Sequence, residues 1–454
     1  MGSDFEHHID IEDSAWIADA CERLHPVQIA EELEELEDAS IYAFLVLAPP
    51  RERATVFTEF QEETQDRLVG IMSPRDLARI VTFMSHDERA DLVNRLSGRK
   101  MRVLLPALSY AEREDIRRLA SYPEGSAGSV MTSDYTAVEP HLTVAQAIES
   151  LRHQAIDRET IYYAYVLSPD REIRGLLTLK DLVLADPNEP VSEVMAEDLI
   201  TARVDDDQED VAQMIRKYDL LALPIVDQKN RLVGIVTHDD AIDILEEEFN
   251  EDIEKFMAIT GGHQIGGYLK TSAWQHFHNR VFWIVVLAAM GFISGFILHS
   301  FEDTLSALIL LAIYMPMMAD AGGNAGSQTA TVIIQALTRK ELEPKDIFKI
   351  VGKEMQIGCM LGLVLAVLAM GKIYLFSYAA DLPPQFTLLS VSAVISMAIA
   401  IQVASSTLIG ALLPLSAVRF RLDPAVIASP AITTIVDITG LLIYFLSAKL
   451  FLGI

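Results

Sequence analysis

Two rhythms of apolar and polar positions divide the chain near residue 272. Beyond it, apolar segments at about 279–300, 304–337, 353–378, 386–418 and 425–451 are each long enough, at roughly 20 residues, to cross a bilayer. Before it, residues 16–122 alternate short amphipathic stretches with breaks at His-Pro, Pro-Pro, Ser-Pro and Ser-His, which predicts a pile of short helices. Ser85 with Glu88, and Ser109 with Glu112, have the spacing of a capping box. Between 129 and 245 the pattern repeats: SVMTSDYTAVEPHLTVAQAIESLR is echoed by EVMAEDLITARVDDDQEDVAQMIRK, with Met131 matching Met195, and GLLTLKDL by GIVTHDDA. Each copy reads as strand, helix, two short strands and helix, so this region is a tandem pair of small α/β modules.

The loops orient the spans. The 338–353 loop carries Arg339, Lys340, Lys345, Lys349 and Lys353, and the next loop on that side carries Arg419 and Arg421; LHSFEDT and SYAADLPPQ contain no Lys or Arg. The positive-inside rule therefore places the basic loops and the large N-terminal region in the cytoplasm, and five spans put the C-terminus outside. MGSDFEHHIDIEDS has no apolar run of the signal-peptide kind.

Charge sharpens the division. Residues 1–270 hold 55 Asp and Glu against 26 Lys and Arg, while 271–454 hold 10 of each, so the net charge of −29 belongs to the first part. Such a surface repels nucleic acid and attracts cations. Cys21 and Cys359 stand in different regions and offer neither a disulfide framework nor a thiolate metal motif. No Gly-rich phosphate loop and no nucleophile constellation is present, so an enzyme is not expected.

The apolar half is interrupted where chemistry is expected. In ADAGGNAGSQTATVIIQAL (319–337), Asp320, Asn324 and Gln328 recur every four residues, which stacks them on one helix face. In the last span Ser429, Thr433 and Asp437 step by four in the same way. An Asp at the bilayer centre costs about 2.5–3.5 kcal/mol on the insertion scale, so these faces should meet protein or water. Lys372 is the one other candidate partner for Asp437, and snorkelling to an interface suits it better. Gln402, Ser405, Ser406, Gly410 and Pro414 make span four part of the same close-packed polar set, leaving spans one and three to the lipid. Carboxylate, amide and hydroxyl oxygens without Cys or His select a hard cation. One Asp437 is little charge for a divalent ion, and a two-fold dimer would bring two together. Asp239 to Glu254 and Asp205 to Asp210 add dense acidic runs, whose repulsion along a helix divalent cations would relieve.

Together PMMADAGGNAGSQ, DPAVIASPAITTIVDITGLLIY, the duplicated α/β module and HDDAIDILEEEFNEDI resemble the MgtE family of magnesium channels over nearly the whole chain. The resemblance implies a cytosolic all-α N-terminal domain (1–125), α/β tandem CBS domains (126–188 and 189–250), an acidic connecting helix (251–272) and a polytopic α-helical membrane domain with five spans (273–454). It further implies a homodimeric channel of the cytoplasmic membrane that takes up Mg²⁺. Asp437 would stand at the ion site, with Gly323, Asn324, Gln328, Ser429 and Thr433 lining the pore. Cytosolic Mg²⁺ would close the pore by binding Asp87, Asp91, Asp240, Asp243, Glu248, Glu251 and Asp252. Some members bind ATP, for which Thr178 and Asp181 fit the ribose-contacting pattern. A Mn²⁺ or Co²⁺ transporter of this architecture, and a membrane-anchored CBS-domain sensor of cations or nucleotides, are the alternatives.

Overall fold

A computed structural model describes residues 5, 7–9, 13–154, 158, 160–259, 271–339, 341–379, 382–420, 422–424 and 429–454. The chain forms two compact units divided after Glu248.

The first unit opens with short helices: α1 (Ser14–Arg23), α2 (Pro26–Leu33), α3 (Asp38–Leu47), α4 (Pro50–Thr58), α5 (Glu62–Ile71), α6 (Pro74–Val81), α7 (His86–Arg95), α8 (Gly98–Leu104) and α9 (Tyr110–Leu119). The proline breaks are helix starts: Pro26, Pro50 and Pro74 occupy the first turn, where a missing N–H costs nothing. Ser109 and Glu112 form the expected capping box. Ser85 and Glu88 do not, since the Ser85 side chain makes no cap hydrogen bond to α7 and lies against Asp87. Successive helices are tied by long buried side chains. Arg53 Nη2 donates to the Val46 and Ala48 carbonyls (2.7 and 2.9 Å), and Arg89 Nη2 to those of Thr82 and Met84 (3.3 and 2.8 Å). Each guanidinium satisfies the open end of the preceding helix.

The repeated modules follow. β1 (Thr136–Val138), α10 (Val144–Gln154), β2 (Tyr163–Leu167), β3 (Ile173–Thr178) and α11 (Leu179–Leu184) form the first; after the short α12 (Val191–Val194), β4 (Ala202–Arg203), α13 (Gln208–Tyr218), β5 (Ala222–Val226), β6 (Leu232–Thr237) and α14 (His238–Phe256) form the second. In each, the first strand pairs parallel to the second and the second antiparallel to the third. The matched methionines cross over. A Cβ on Gly175 would stand 2.5 Å from the Met195 sulfur, and one on Gly234 2.6 Å from the Met131 sulfur, so each module's entry segment seats against the other module's sheet. No break falls at 250: α14 runs on to Phe256, and residues 260–270 of the expected connecting helix lie outside the described residues.

The second unit is helical: α15 (Ala273–Ser300), α16 (Glu302–Ala307), α17 (Ile309–Thr338), α18 (Ile347–Ser377), α19 (Leu388–Arg419) and α20 (Ser429–Leu452). Among the described residues α15, α18, α19 and α20 are long and apolar enough to cross a membrane. α17 has 30 residues, but its polar stripe makes it less apolar. The expected span from 304 is shorter than its hydropathy suggested, because the chain breaks at Leu308 and residues 302–307 form the separate α16.

α17, α19 and α20 make the core of this unit, whereas Ile297 is the single buried residue of α15 among those described. The close approach of α17 and α19 needs glycine, since a Cβ on Gly410 would fall onto the Gly326 carbonyl oxygen. Buried Gln402 bridges α19 to α20 by donating from Nε2 to the Val436 carbonyl at 2.7 Å.

Candidate functional site

The polar stripes of α17 and α20 converge on one cleft. Ala319, Asp320, Gly323, Asn324 and Ser327 of α17 and Ser429, Thr433 and Asp437 of α20 line a space of about 350 Å³. Glycine brings the helices together here, as Gly323 packs on Thr433 and Gly322 on Val436 and Gln402. The hydroxyls bond to one another: Ser429 donates to Ser327 at 3.0 Å, and Ser327 and Thr433 lie 3.3 Å apart. Asn324 Nδ2 donates to Asp320 Oδ1 at 3.0 Å. Asp437 is half-buried and forms no ion pair among the described residues. Lys372 instead stands over the Tyr314 ring at 5.9 Å.

The helical period thus brings five of the expected pore residues to one place and leaves Gln328 out. Gln328 is exposed outside the cleft, and Ser327 occupies the position on its wall. A spacing of four drifts around a helix of 3.6 residues per turn, so after two steps the stripe has left the α20-facing side. Asp320 and Ser327 were legible as polar residues in an apolar run, and spans two, four and five as one close-packed set, but the register of α17 against α20 was not.

In the first unit a second, wider cleft of about 960 Å³ is bounded by Glu59 at the end of α4, Asp87 and Glu88 of α7, Asp134, and Asp239, Asp240 and Asp243 of α14. Desolvation, reinforced by Asp87, Asp91 and Asp240, pushes Glu88 up to about 8, although the side chain retains contact with water. Desolvation and Asp87 push Asp91 up to about 7, although its side chain is exposed to solvent, and half-buried Asp240 to about 6. Burial also raises Asp87, Asp243 and Glu59. One carboxylate oxygen of Asp87 is buried without a hydrogen-bond partner.

His86 anchors the edge of this cleft, 2.7 Å from Asp115 and 3.3 Å from Asp134. Burial would raise Asp115, but His86, Arg118 and Ser133 hold it below the usual carboxylate range. Asp87, Asp240 and Asp243 thus line one cleft, and Asp91 feels the Asp87 charge but stands outside its wall. Glu88 and Glu59 join them; Glu88 was hidden by its capping-box spacing, and Glu59 by its distance in sequence.

The remaining acids sit elsewhere. Glu248 accepts a hydrogen bond from Gln208 Nε2 at 2.7 Å. In the second unit Glu251 lies 2.8 Å from Lys255, which also reaches Asp423 at 3.1 Å, and Asp252 is half-buried. Among the described residues no three His, Cys, Asp or Glu side chains form a ready-made metal-binding group. Thr178 and Asp181 cap α11 reciprocally: the Thr178 hydroxyl accepts from the Asp181 N–H at 3.1 Å and donates to its carboxylate at 2.6 Å. Thr237 and Asp240 repeat this pairing in the second module, with the Thr237 hydroxyl 2.5 Å from the carboxylate.

Comparison with known proteins agrees with this architecture. A family profile described as a divalent cation transporter matches residues 315–447, the MgtE intracellular N domain matches 24–125, and CBS domains match 127–188 and 191–247. The magnesium transporter MgtE of Thermus thermophilus is 40% identical over 337 residues, which cover 74% of this chain and 72% of that protein. The magnesium transporter MgtE of Bacillus subtilis is 35% identical over the same shares. The crystal structure of the cytosolic domain of the Mg²⁺ channel MgtE in complex with ATP matches with a TM-score of 0.51 and 33% identity, over 54% of this chain and all of that one.

Proposed function

The chain belongs to the MgtE family of magnesium transporters, and from that premise we propose that it is a homodimeric, Mg²⁺-selective channel that admits magnesium across the cytoplasmic membrane and closes when cytosolic Mg²⁺ binds its acidic first unit. The observation that carries the reading is the membrane cleft: an acid without a cationic partner among the described residues, Asp437, beside hydroxyl and amide oxygens in a mostly apolar unit. An anchor would gain nothing from burying such groups, whereas a path for a hard cation requires them. A second copy related by a two-fold axis would double the carboxylates along the path. Gly323, Asn324, Ser429 and Thr433 would complete its wall, with Gln328 exposed beside it.

Uptake needs no coupled ion, because a divalent cation gains about 4.6 kcal/mol per 100 mV of inside-negative potential. With five spans, counting α17, the first unit lies in the cytoplasm and the C-terminus outside, as the loop charges require.

Gating follows from the carboxylates raised in the cytosolic cleft. Asp87, Asp91, Asp240 and Asp243, with Glu88, repel one another when ionised, and Mg²⁺ removes that repulsion. Removal of Mg²⁺ loosens the cytosolic unit and opens the channel. Glu248, Glu251 and Asp252 belong to the acidic stretch of α14 through which we propose the signal passes. ATP is the candidate nucleotide at Thr178 and Asp181, supported by the ATP complex of the similar cytosolic domain.

Purified protein in liposomes, with the cytosolic-side Mg²⁺ clamped low or high, tests the scheme. Influx under low Mg²⁺ that stops at millimolar cytosolic-side Mg²⁺ is expected. Influx indifferent to that concentration would remove the gate, and faster flux of Mn²⁺ or Co²⁺ than of Mg²⁺ would favour the alternative cargo.

A further inference from the structure

The membrane cleft contains a second acid. Asp320 of α17 is exposed in the single chain, and among the described residues one of its carboxylate oxygens receives a donor, the Asn324 amide. Lys372 pairs with neither acid; it stands over Tyr314 and 3.9 Å from the Met317 sulfur.

The antiparallel register of α17 and α20 fixes its depth. Ser429 lies beside Ser327, Thr433 beside Gly323 and Gly440 beside Met318, which sets Asp437 level with Asp320. The cleft therefore has an acid end, Asp320 and Asp437, and a hydroxyl end, Ser327, Ser429 and Thr433. The hydroxyl end is satisfied by its own hydrogen bonds, while the acid end carries two carboxylates and one amide donor, that of Asn324 to Asp320.

We infer that Asp320 is the second carboxylate of the ion path, holding the water shell of a hard divalent cation jointly with Asp437. The inference rests on the transport reading above. At equal distance two acids attract a dication with twice the Coulomb energy they exert on a monovalent ion, and with four times that of one acid on a monovalent ion. Their water-mediated grip suits Mg²⁺, which dehydrates reluctantly. The neutral hydroxyls one and two turns away bind weakly, so an ion caught at the acid end has an exit.

The test compares wild type, Asp320→Asn, Asp320→Glu and Asp437→Ala in liposomes, measuring Mg²⁺ flux against Mg²⁺ concentration and leak of Na⁺. Asp320→Asn should raise half-saturating Mg²⁺ about tenfold, the scale of one unit charge in a partly hydrated site, and admit Na⁺. Asp320→Glu should restore both. An Asp320→Asn protein with wild-type saturation and Na⁺ exclusion overturns the inference, while a silent wild type overturns the transport reading itself.

A second readout avoids reliance on the Asn variant's assembly. In a Cys21→Ser, Cys359→Ser background, Asp320→Cys should react with a cationic thiol reagent at a rate that Mg²⁺ slows. A rate indifferent to Mg²⁺ overturns the inference.

Discussion

Glu88 couples charge and protons in a single side chain. Its carboxyl is pushed up to about 8, with Asp91 at about 7 and Asp240 at about 6, so in the metal-free protein the folded state holds protons that an unfolded chain would release near pH 4. The stability these groups contribute is complete below the unfolded pKa and is lost as pH rises through 6 to 8. The thermal midpoint of the cytosolic unit without Mg²⁺ should therefore fall between pH 6 and 8.5, and saturating Mg²⁺ should flatten the slope. Glu88→Gln should do the same without metal and also weaken stabilisation by Mg²⁺; a pH profile unchanged by this substitution would exclude Glu88 from the cluster. Thr178 poses a different residue-scale question, because its hydroxyl already caps α11. Thr178→Ala should cost about 0.5–2 kcal/mol in ATP-free protein, measured by urea unfolding, whether or not nucleotide binds there.

At the scale of elements, glycine sets helix contact in the membrane unit. Gly410→Ala would press a methyl onto the Gly326 carbonyl and should destabilise the α17–α19 contact by about 1–3 kcal/mol, seen as a lower melting temperature in detergent. Gly352→Ala in α18 meets open space and should leave it unchanged. Much of this architecture was legible in the chain. The proline-marked breaks became the starts of α2, α4 and α6, and the offset methionines became the crossover between modules. Local spacing misled where one residue had two uses: Ser85 and Glu88 satisfy a capping pattern, yet Glu88 stands in the acidic cleft. Gln328 shared a four-residue rhythm with Asn324 but turned off the cleft wall, since only the packing of α17 on α20 decides which edge of a stripe is used. Glu354, buried in α18 with Thr329 donating to it at 3.2 Å, carried no local mark at all.

For the whole molecule, the segregation of charge suits the proposed division between a cation-sensing part and a conducting part. The acidic excess lies in residues 1–270, while the membrane half balances its charges and places two of its acids, Asp320 and Asp437, in one cleft. Two chains at −29 should hold their cytosolic units together poorly without divalent cations, so removal of Mg²⁺ should speed proteolysis of residues 1–248 and its return should restore protection. The central claim, that a divalent cation crosses at Asp437, is tested most directly by Mg²⁺ influx into liposomes under an inside-negative potential, comparing wild type with folded, assembled Asp437→Ala. The account predicts influx in wild type and its loss in the variant. Equal influx in both would contradict it.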